Sequence, residues 1–405
     1  MNQSNENSKK SKISTNVILL SIVSLLNDFS SEMIMPILPM FLEALGGGGK
    51  VIGLIGGLRD SISSILKIFS GYWSDKTGKR KIFVYAGYIT SAIFKLLLAA
   101  SHTWPLALVF SSMERVGKGL RTAPRDAIIA ESMTTQRGKG FGIHRAFDTI
   151  GAILGTFGVL CLYWFAHLNF KTIILIAGAL GFLSLIPLYF VKESKPTPRN
   201  VTLKMGLSSL SKPLRLFIVI SSVFALGNFS YMFFILKAQK HFSGTYSVIA
   251  PILFYIIFNI SYSALAIPLG SVSDKIGRAK VIIFGYLMFS VTTIGFAFLN
   301  SIPAFIVLFI LYGLMYAAID GNQRAFVSDL SGGNLKATAL GTFHTLNGLM
   351  ALPAGLMAGF LWDYTGPAGT FIYGAALALL SVVLFIAFWH NLNIHLPYHK
   401  QTSLN

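Results

Sequence analysis

Long apolar runs, each about the length of one membrane crossing and separated by short polar turns, dominate the chain. A helix rises about 1.5 Å per residue and so needs about 20 residues to cross a hydrocarbon layer of roughly 30 Å. Twelve stretches meet that length: 16–45, 51–73, 82–101, 104–131, 138–165 and 169–191 (spans 1 to 6), then 213–242, 246–272, 281–300, 302–329, 337–363 and 366–390 (spans 7 to 12). The pattern predicts an all-α integral membrane protein built as two six-helix bundles. The expected divisions are a tail over 1–15, a bundle over 16–191, a Pro- and Ser-rich linker over 192–212, a second bundle over 213–390 and a tail over 391–405. The segment beginning near Asn16 is too long for a signal-peptide core and is read as a retained first span.

Two turns carry nearly the same text. Gly71-Tyr-Trp-Ser-Asp75-Lys-Thr-Gly78-Lys79-Arg80-Lys81 closes span 2, and Gly270-Ser-Val-Ser-Asp274-Lys-Ile-Gly277-Arg278-Ala-Lys280 closes span 8, 199 residues later (274 minus 75). An offset of about half the chain predicts two related halves in tandem.

Composition agrees with a membrane chain. Hydrophobic residues make up 54% and charged residues 12%, against about 25% charged in soluble domains, and mean hydropathy is +0.65. The net charge of +18 does not mark a nucleic-acid binder, because the basic residues sit in alternate turns. They gather at Lys9, Lys10 and Lys12, in 74–81, at Arg137 and Lys139, in 192–215, in 275–280, at Lys336 and at Lys400, whereas the opposite loops hold only Lys50 and Lys171. The positive-inside rule then predicts that both termini are cytoplasmic. A single cysteine, Cys161, in an apolar run, excludes a disulfide framework and a CxxC metal signature. With no Walker motif, no HExxH spacing and no nucleophile–base pair, the sequence predicts neither an enzyme nor a primary pump, and no cofactor or metal.

The six-plus-six arrangement and the duplicated G-x-x-x-D-[RK]-x-G-[RK]-x-[RK] turn resemble the major facilitator superfamily over nearly the whole chain. Two further strings, Asn27-Asp28-Phe-Ser-Ser-Glu32-Met33 and Glu114-Arg115-Val-Gly-Lys118-Gly-Leu-Arg121-Thr-Ala-Pro124-Arg125-Asp126, are similar to a branch of bacterial permeases in that family. The resemblance implies twelve helices in two pseudo-symmetric bundles, a monomeric working unit and a place in the bacterial inner membrane. It also implies gating contacts at the repeated turns (Asp75, Lys79, Arg80, Asp274, Arg278) and proton coupling through Arg115. The Gly-Pro pattern of many drug antiporters is missing, since Gly151, Gly155 and Gly158 occur in span 5 without a proline.

Ionisable groups within a span are costly and mark function by default. Counting depth along the helices brings Asp28 and Glu32 of span 1, Arg59 and Asp60 of span 2, and Glu114 and Arg115 of span 4 to a similar level, and predicts one charge-balanced coupling cluster. Deeper, Lys118, Arg121 and Arg125 continue a helical stripe from Glu114, with His144, Arg145 and Asp148 of span 5 alongside. Such a stripe favours an anion, because guanidinium forks hold carboxylate or phosphate; the alternative is snorkelling to the cytoplasmic surface. Lys67 and Lys95 are further charges inside the spans. The second half is sparsely charged. Asp320, Arg324 and His344 are candidate gating groups, His344 repeating His144, while Asn347 and neighbouring Asn, Gln and Tyr residues suggest a neutral polar lining for the solute.

These readings predict a secondary active transporter that moves a small hydrophilic solute, an anion being favoured, by alternating access. Its expected partners are that small-molecule solute, a coupling proton and the lipid bilayer, with no nucleic acid. Efflux of lipophilic compounds by proton antiport is the runner-up, and a non-transporting receptor or scaffold of the same fold is the reading from another class.

Overall fold

The computed structural model describes residues 13–133, 137–193, 210–331 and 336–392. Most of the linker expected over 192–212, and of the tails over 1–15 and 391–405, lies outside the described residues. Among the described residues nine helices are long and apolar enough to cross a membrane. One of these, Lys336–Ala387, is two spans joined at Gly366, whose φ of 80° and ψ of 179° break the helix. Two more helices, Gly49–Thr77 and Trp104–Ser132, have 29 residues each and fall short only in apolarity, because they carry the buried charges of spans 2 and 4. Among the described residues, the helices long enough to cross thus come to twelve.

The remaining spans are Thr15–Ile34 with Leu38–Ala44 (span 1), Arg80–Ala99 (span 3), Arg137–Trp164 (span 5), Phe170–Leu183 with Leu185–Tyr189 (span 6), Lys212–Gly227 with Met232–Gln239 (span 7), Tyr246–Ile276 (span 8), Arg278–Phe298 (span 9) and Ile302–Leu330 (span 10). Spans 1 and 7, expected as continuous, are broken at matching places in the two halves. The break in span 1 has a local cause. Pro36 and Pro39 have no backbone N–H to give, so the carbonyl of Met35 loses its helical donor at Pro39. The Tyr231 hydroxyl, at the break in span 7, donates to that carbonyl at 3.0 Å.

Both halves bring backbones together at glycine, and the second adds aromatic rings. In the first, backbones meet at glycine: a Cβ on Gly117 of span 4 would lie 2.5 Å from the Gly87 carbonyl of span 3, and one on Gly155 of span 5 would lie 2.3 Å from the Phe29 carbonyl of span 1. Such contacts bring helix axes close enough for van der Waals packing to hold them where lipid gives no hydrophobic drive. In the second half, glycine contacts recur, for a Cβ on Gly313 would lie 2.8 Å from the Phe258 carbonyl, and rings are added to them: Phe224 stacks on Tyr286 at 4.0 Å, and Phe234 meets Tyr312 at 4.2 Å and Phe371 at 5.1 Å.

The repeated turns have the same build. Gly78 and Gly277 end spans 2 and 8 with φ of 69° and 98°, values a β-carbon disfavours, which accounts for glycine in both copies of the motif. Next to them, Arg80 pairs with Asp75 at 2.7 Å and with Glu131, and Arg278 pairs with Asp274 at 3.3 Å and with Asp329 at 2.6 Å. Each arginine therefore ties its turn to the end of the fourth span of its own half.

Between the halves, spans 2 and 11 run together at the end that carries the turn Gly46–Gly49, called here the far end. A Cβ on Gly53 would fall 2.0 Å from the Gly355 carbonyl, and one on Gly359 would fall 2.4 Å from the Gly49 carbonyl. Asp363 caps span 2 across this contact, and Gln239 donates to Glu43 at 2.9 Å. Toward the opposite end, where the repeated turns lie, the halves part except where Arg145 of span 5 reaches Tyr262 of span 8. Lys118, Arg145 and Gly321 are solvent-exposed there although they belong to membrane-crossing helices, and Gly142, Gly321 and Gly341 face open space.

Candidate functional site

The space between the halves is a cavity of about 360 Å³ walled by spans 2, 7, 10 and 11. Its polar lining is Asp60 and Ser64 from the first half and Asn228, Tyr231, Tyr316, Asp320, Gln323, His344 and Asn347 from the second. The unwound segment after Gly227 supplies Asn228, Phe229 and Ser230, so the break in span 7 turns irregular backbone toward the cavity.

The six charges expected to form one cluster divide among four places. Glu114 receives Arg59 at 3.4 Å and Arg115 at 3.3 Å, all three about 5% exposed. Both guanidiniums also reach the Met35 sulfur, at 3.5 and 3.0 Å, where span 1 is broken. Asp60 is not in this group: it is exposed and faces the cavity. Successive residues on a helix point about 100° apart, so Arg59 and Asp60 do not share a direction. Asp28 accepts from Asn27 at 3.2 Å and lies among Asp148, Lys118, Arg121 and Arg125 rather than beside Glu114. Glu32 points to the other half of the molecule and accepts from the Tyr255 hydroxyl at 3.0 Å. Tyr255 packs on Tyr231 with centroids 5.6 Å apart. A contiguous chain of contacts thus runs from Glu32 through Tyr255, Tyr231 and Met35 to the two arginines on Glu114.

The basic stripe of span 4 is also divided. Lys118 is exposed inside the bundle. Arg121 is 3% exposed and turns away to span 3, where it donates to Ser91 at 2.5 Å and lies 4.6 Å from the Tyr88 ring. Helical drift and the glycine contact between spans 3 and 4 explain this, for Gly87 leaves room against the Arg121 Cβ. Arg125 binds Asp126 at 2.9 Å and Ser24 at 3.0 Å. His144 is buried, 3.7 Å from Asp148. Arg145 crosses to the second half, donating to Tyr262 at 2.7 Å, while Tyr262 in turn donates to Asp320 at 3.0 Å. Arg324 holds Asp320 at 2.6 Å. Asn347, expected near the solute, does line the cavity, as do Asp320 and His344, expected at a gate. Of the turn residues, Lys79 is exposed and Asp75, Arg80, Asp274 and Arg278 form the within-half pairs described above.

Sequence reasoning passed over Met35, counted Tyr255 only as part of a neutral lining of the second half, and counted Lys95 without giving it a role. The Met35 contact had a signal in Pro39, four residues on; the Tyr255 contact had none, because it depends on how the halves meet. Among the described residues, no group of three or more His, Cys, Asp or Glu side chains is arranged to hold a metal ion.

Two helical bundles around a polar cavity, open at one end and shut at the other, define a membrane transporter. Comparison gives the family. The Major Facilitator Superfamily profile matches residues 20–260 and 252–401, and the chain belongs to that superfamily. It is 53% identical over 391 residues to an uncharacterized MFS-type transporter of Methanocaldococcus jannaschii, covering 95% of this chain and 97% of the relative. It is 24% identical over 355 residues to the multidrug resistance protein MdtH of Aeromonas hydrophila, covering 85% and 87%. Among solved structures, the nucleoside transporter NupG superimposes with a TM-score of 0.75 at 17% identity, covering 94% of this chain and 99% of that one. The human organic anion transporter MFSD10 does so with a TM-score of 0.66 at 17% identity, covering 91% and 98%. The protein is a multi-pass integral membrane transporter of this superfamily.

Proposed function

We propose that this transporter moves a small hydrophilic solute by alternating access, coupled to protons, and that the conformation described is the one open to the cytoplasm. The orientation rests on the basic turns at the open end. The observation that carries the reading is the Glu32–Tyr255 hydrogen bond beside the central cavity. A carboxylate of one half bonded to a hydroxyl of the other, 3.0 Å apart, changes its hold on the partner half when it gains a proton. Proton binding and the closure of the halves are thereby linked. Asp28, close to Lys118, and Glu32 are the proposed proton carriers, and the Arg59–Glu114–Arg115 group is the buried anchor against which they move.

For the solute, the cavity offers amides and hydroxyls from Asn228, Tyr231, Tyr316, Gln323 and Asn347 and the carboxylate of Asp60, that of Asp320 being held by Arg324 and Tyr262. With Arg121 and Arg125 turned to protein partners, the basis for an anion preference is reduced to Lys118. We read the solute as a hydrogen-bonding molecule, uncharged or carrying an amine. Efflux of a lipophilic cation is the second reading, favoured by Phe224, Tyr231 and Tyr316 alongside the Asp60 carboxylate and by the multidrug relative.

The test is a thermal-shift screen of the purified protein against sugars, nucleosides, amines, organic anions and lipophilic cations, followed by uptake into proteoliposomes with and without a pH gradient. Stabilisation by a hydrophilic class, accumulation driven by the gradient, and loss of accumulation but not of exchange in Asp28→Asn would support the proposal. Stabilisation by lipophilic cations alone would move efflux to first place.

A further inference from the structure

Behind the central cavity, Lys95 of span 3 is 1% exposed. Its ammonium meets two hydroxyls of span 1, Ser30 at 2.9 Å and Ser31 at 2.8 Å, and, among the described residues, no carboxylate within salt-bridge distance. Together with Ser31, Arg59, Ser111 and Glu114 it walls a separate cavity of about 10 Å³. One carboxylate oxygen of Glu114 is buried without a hydrogen-bond partner. The ionisable groups around Lys95 are Asp28 and Glu32 from span 1, Arg59 from span 2, and Glu114, Arg115, Lys118 and Arg121 from span 4; the part of span 6 packed on it, near Ala177 and Gly178, brings no charge.

The charge count of the innermost group is the argument. Arg59, Arg115 and Lys95 are cations and Glu114 alone is an anion, each about 5% exposed or less. Unpaired charge in a low-dielectric interior is costly, and guanidinium does not give up its proton in proteins. Lys95 is the member able to lower the net charge. Its two hydroxyls suit either form. Ser30 donates to the Ala177 carbonyl at 2.5 Å and so accepts from Lys95, whereas the half-buried Ser31 is free to turn and donate to a neutral amine.

We infer that Lys95 is a proton-exchanging site, neutral in the conformation described here and charged when spans 1 and 4 move apart. On deprotonation an ammonium N–H bond breaks, the electron pair stays on nitrogen, and the proton leaves to solvent along Ser31. The inference deepens the proton-coupled reading above and rests on it for its role in transport, but the site itself is testable alone.

The experiment is thermal unfolding of the full-length protein in detergent, from mildly acidic to mildly alkaline pH, for the wild type, Lys95→Met and Lys95→Arg. A group that sheds its proton on folding makes the fold more stable as pH rises. The wild-type melting temperature therefore climbs with pH, Lys95→Met flattens that climb and is at least as stable at acidic pH, and Lys95→Arg is less stable throughout. A Lys95→Met protein that melts lower at every pH with the wild-type slope overturns the inference, and this comparison decides even if Lys95→Arg does not fold. Wild-type proteoliposomes report separately on coupling. A flattened slope in Lys95→Met with solute uptake indifferent to the pH gradient keeps the proton site and removes the coupled reading.

Discussion

The carboxylate of Asp363, on span 11, accepts a hydrogen bond from the backbone amide of Gly49, on span 2, at 2.7 Å, and its second oxygen accepts from Lys50 at 2.9 Å. An anion thus caps the N-terminus of a helix in the other half of the molecule, where free N–H groups and the helix dipole both favour it. The bond exists only while the far end is shut. Asp363→Ala is expected to remove about 1 kcal/mol from the closed far end, roughly a fivefold shift toward opening. Faster maleimide labelling of a cysteine placed at Ile52, which is 1% exposed on span 2, would show it; an unchanged rate would mean that the cap is incidental.

Close backbone contact makes the same closure sensitive to volume. A Cβ on Gly355 would sit 2.2 Å from the Gly53 carbonyl, and backbone has little freedom to give way. Gly355→Val is expected to fold but to hold the far end open, read as labelling of the buried Ile52→Cys site several-fold faster than in the parent. Normal labelling together with normal transport would contradict the zipper geometry.

Among the described residues, Glu114 is the one carboxylate in contact with two buried guanidiniums. Glu114→Gln leaves Arg59 and Arg115 without a counter-charge, and removing one partner of a buried ion pair costs about 3–5 kcal/mol. Low yield and a lower melting temperature in detergent are the expected results. If the variant melts like the wild type, the cluster is not the anchor proposed here.

Arg121 separates the stripe read from sequence from the one in the structure. Because it lies against Tyr88 and Ser91 and not in the cavity, Arg121→Met should leave any solute-induced thermal shift intact, while Asn347→Ala should diminish it. The reverse pattern would restore Arg121 as a solute ligand.

The repeated turns differ in burial, the Arg80 side chain being 10% exposed and that of Arg278 28%. Arg80 also sits next to Glu193, which accepts from the backbone amides of Arg80 and Lys81. Arg80→Ala is expected to cost about 1 kcal/mol more than Arg278→Ala, since exposed pairs contribute about 0–1 kcal/mol. Paired unfolding curves measure this, and equal losses would show that burial does not set the difference.

The span boundaries and the tandem halves were legible because length, apolarity and the positions of Lys and Arg determine them directly. What a helix faces was less so. Depth alone placed Arg59 beside Asp60 and Glu114 beside Asp28, but the rotation of about 100° between neighbours sends Asp60 to the cavity, and the packing of span 1 on span 5 through Gly151 and Gly155 fixes where Asp28 looks. Arg121 followed span 3 for the same kind of reason, a close approach at Gly87. Contacts between the halves, such as Tyr255 with Glu32 and Asp363 with Gly49, join positions more than 200 residues apart and leave no local mark in the sequence.

Alternating access linked to protons is most directly tested by distances. Spin labels at His102 and Leu299 report the far end, and labels at Lys76 and Lys275 report the opposite end, all four being exposed sites, with Cys161 replaced. Lowering the pH in proteoliposomes is predicted to lengthen the first distance and shorten the second in the same fraction of molecules. One unchanging population, or two distances that move in the same direction, would contradict the account.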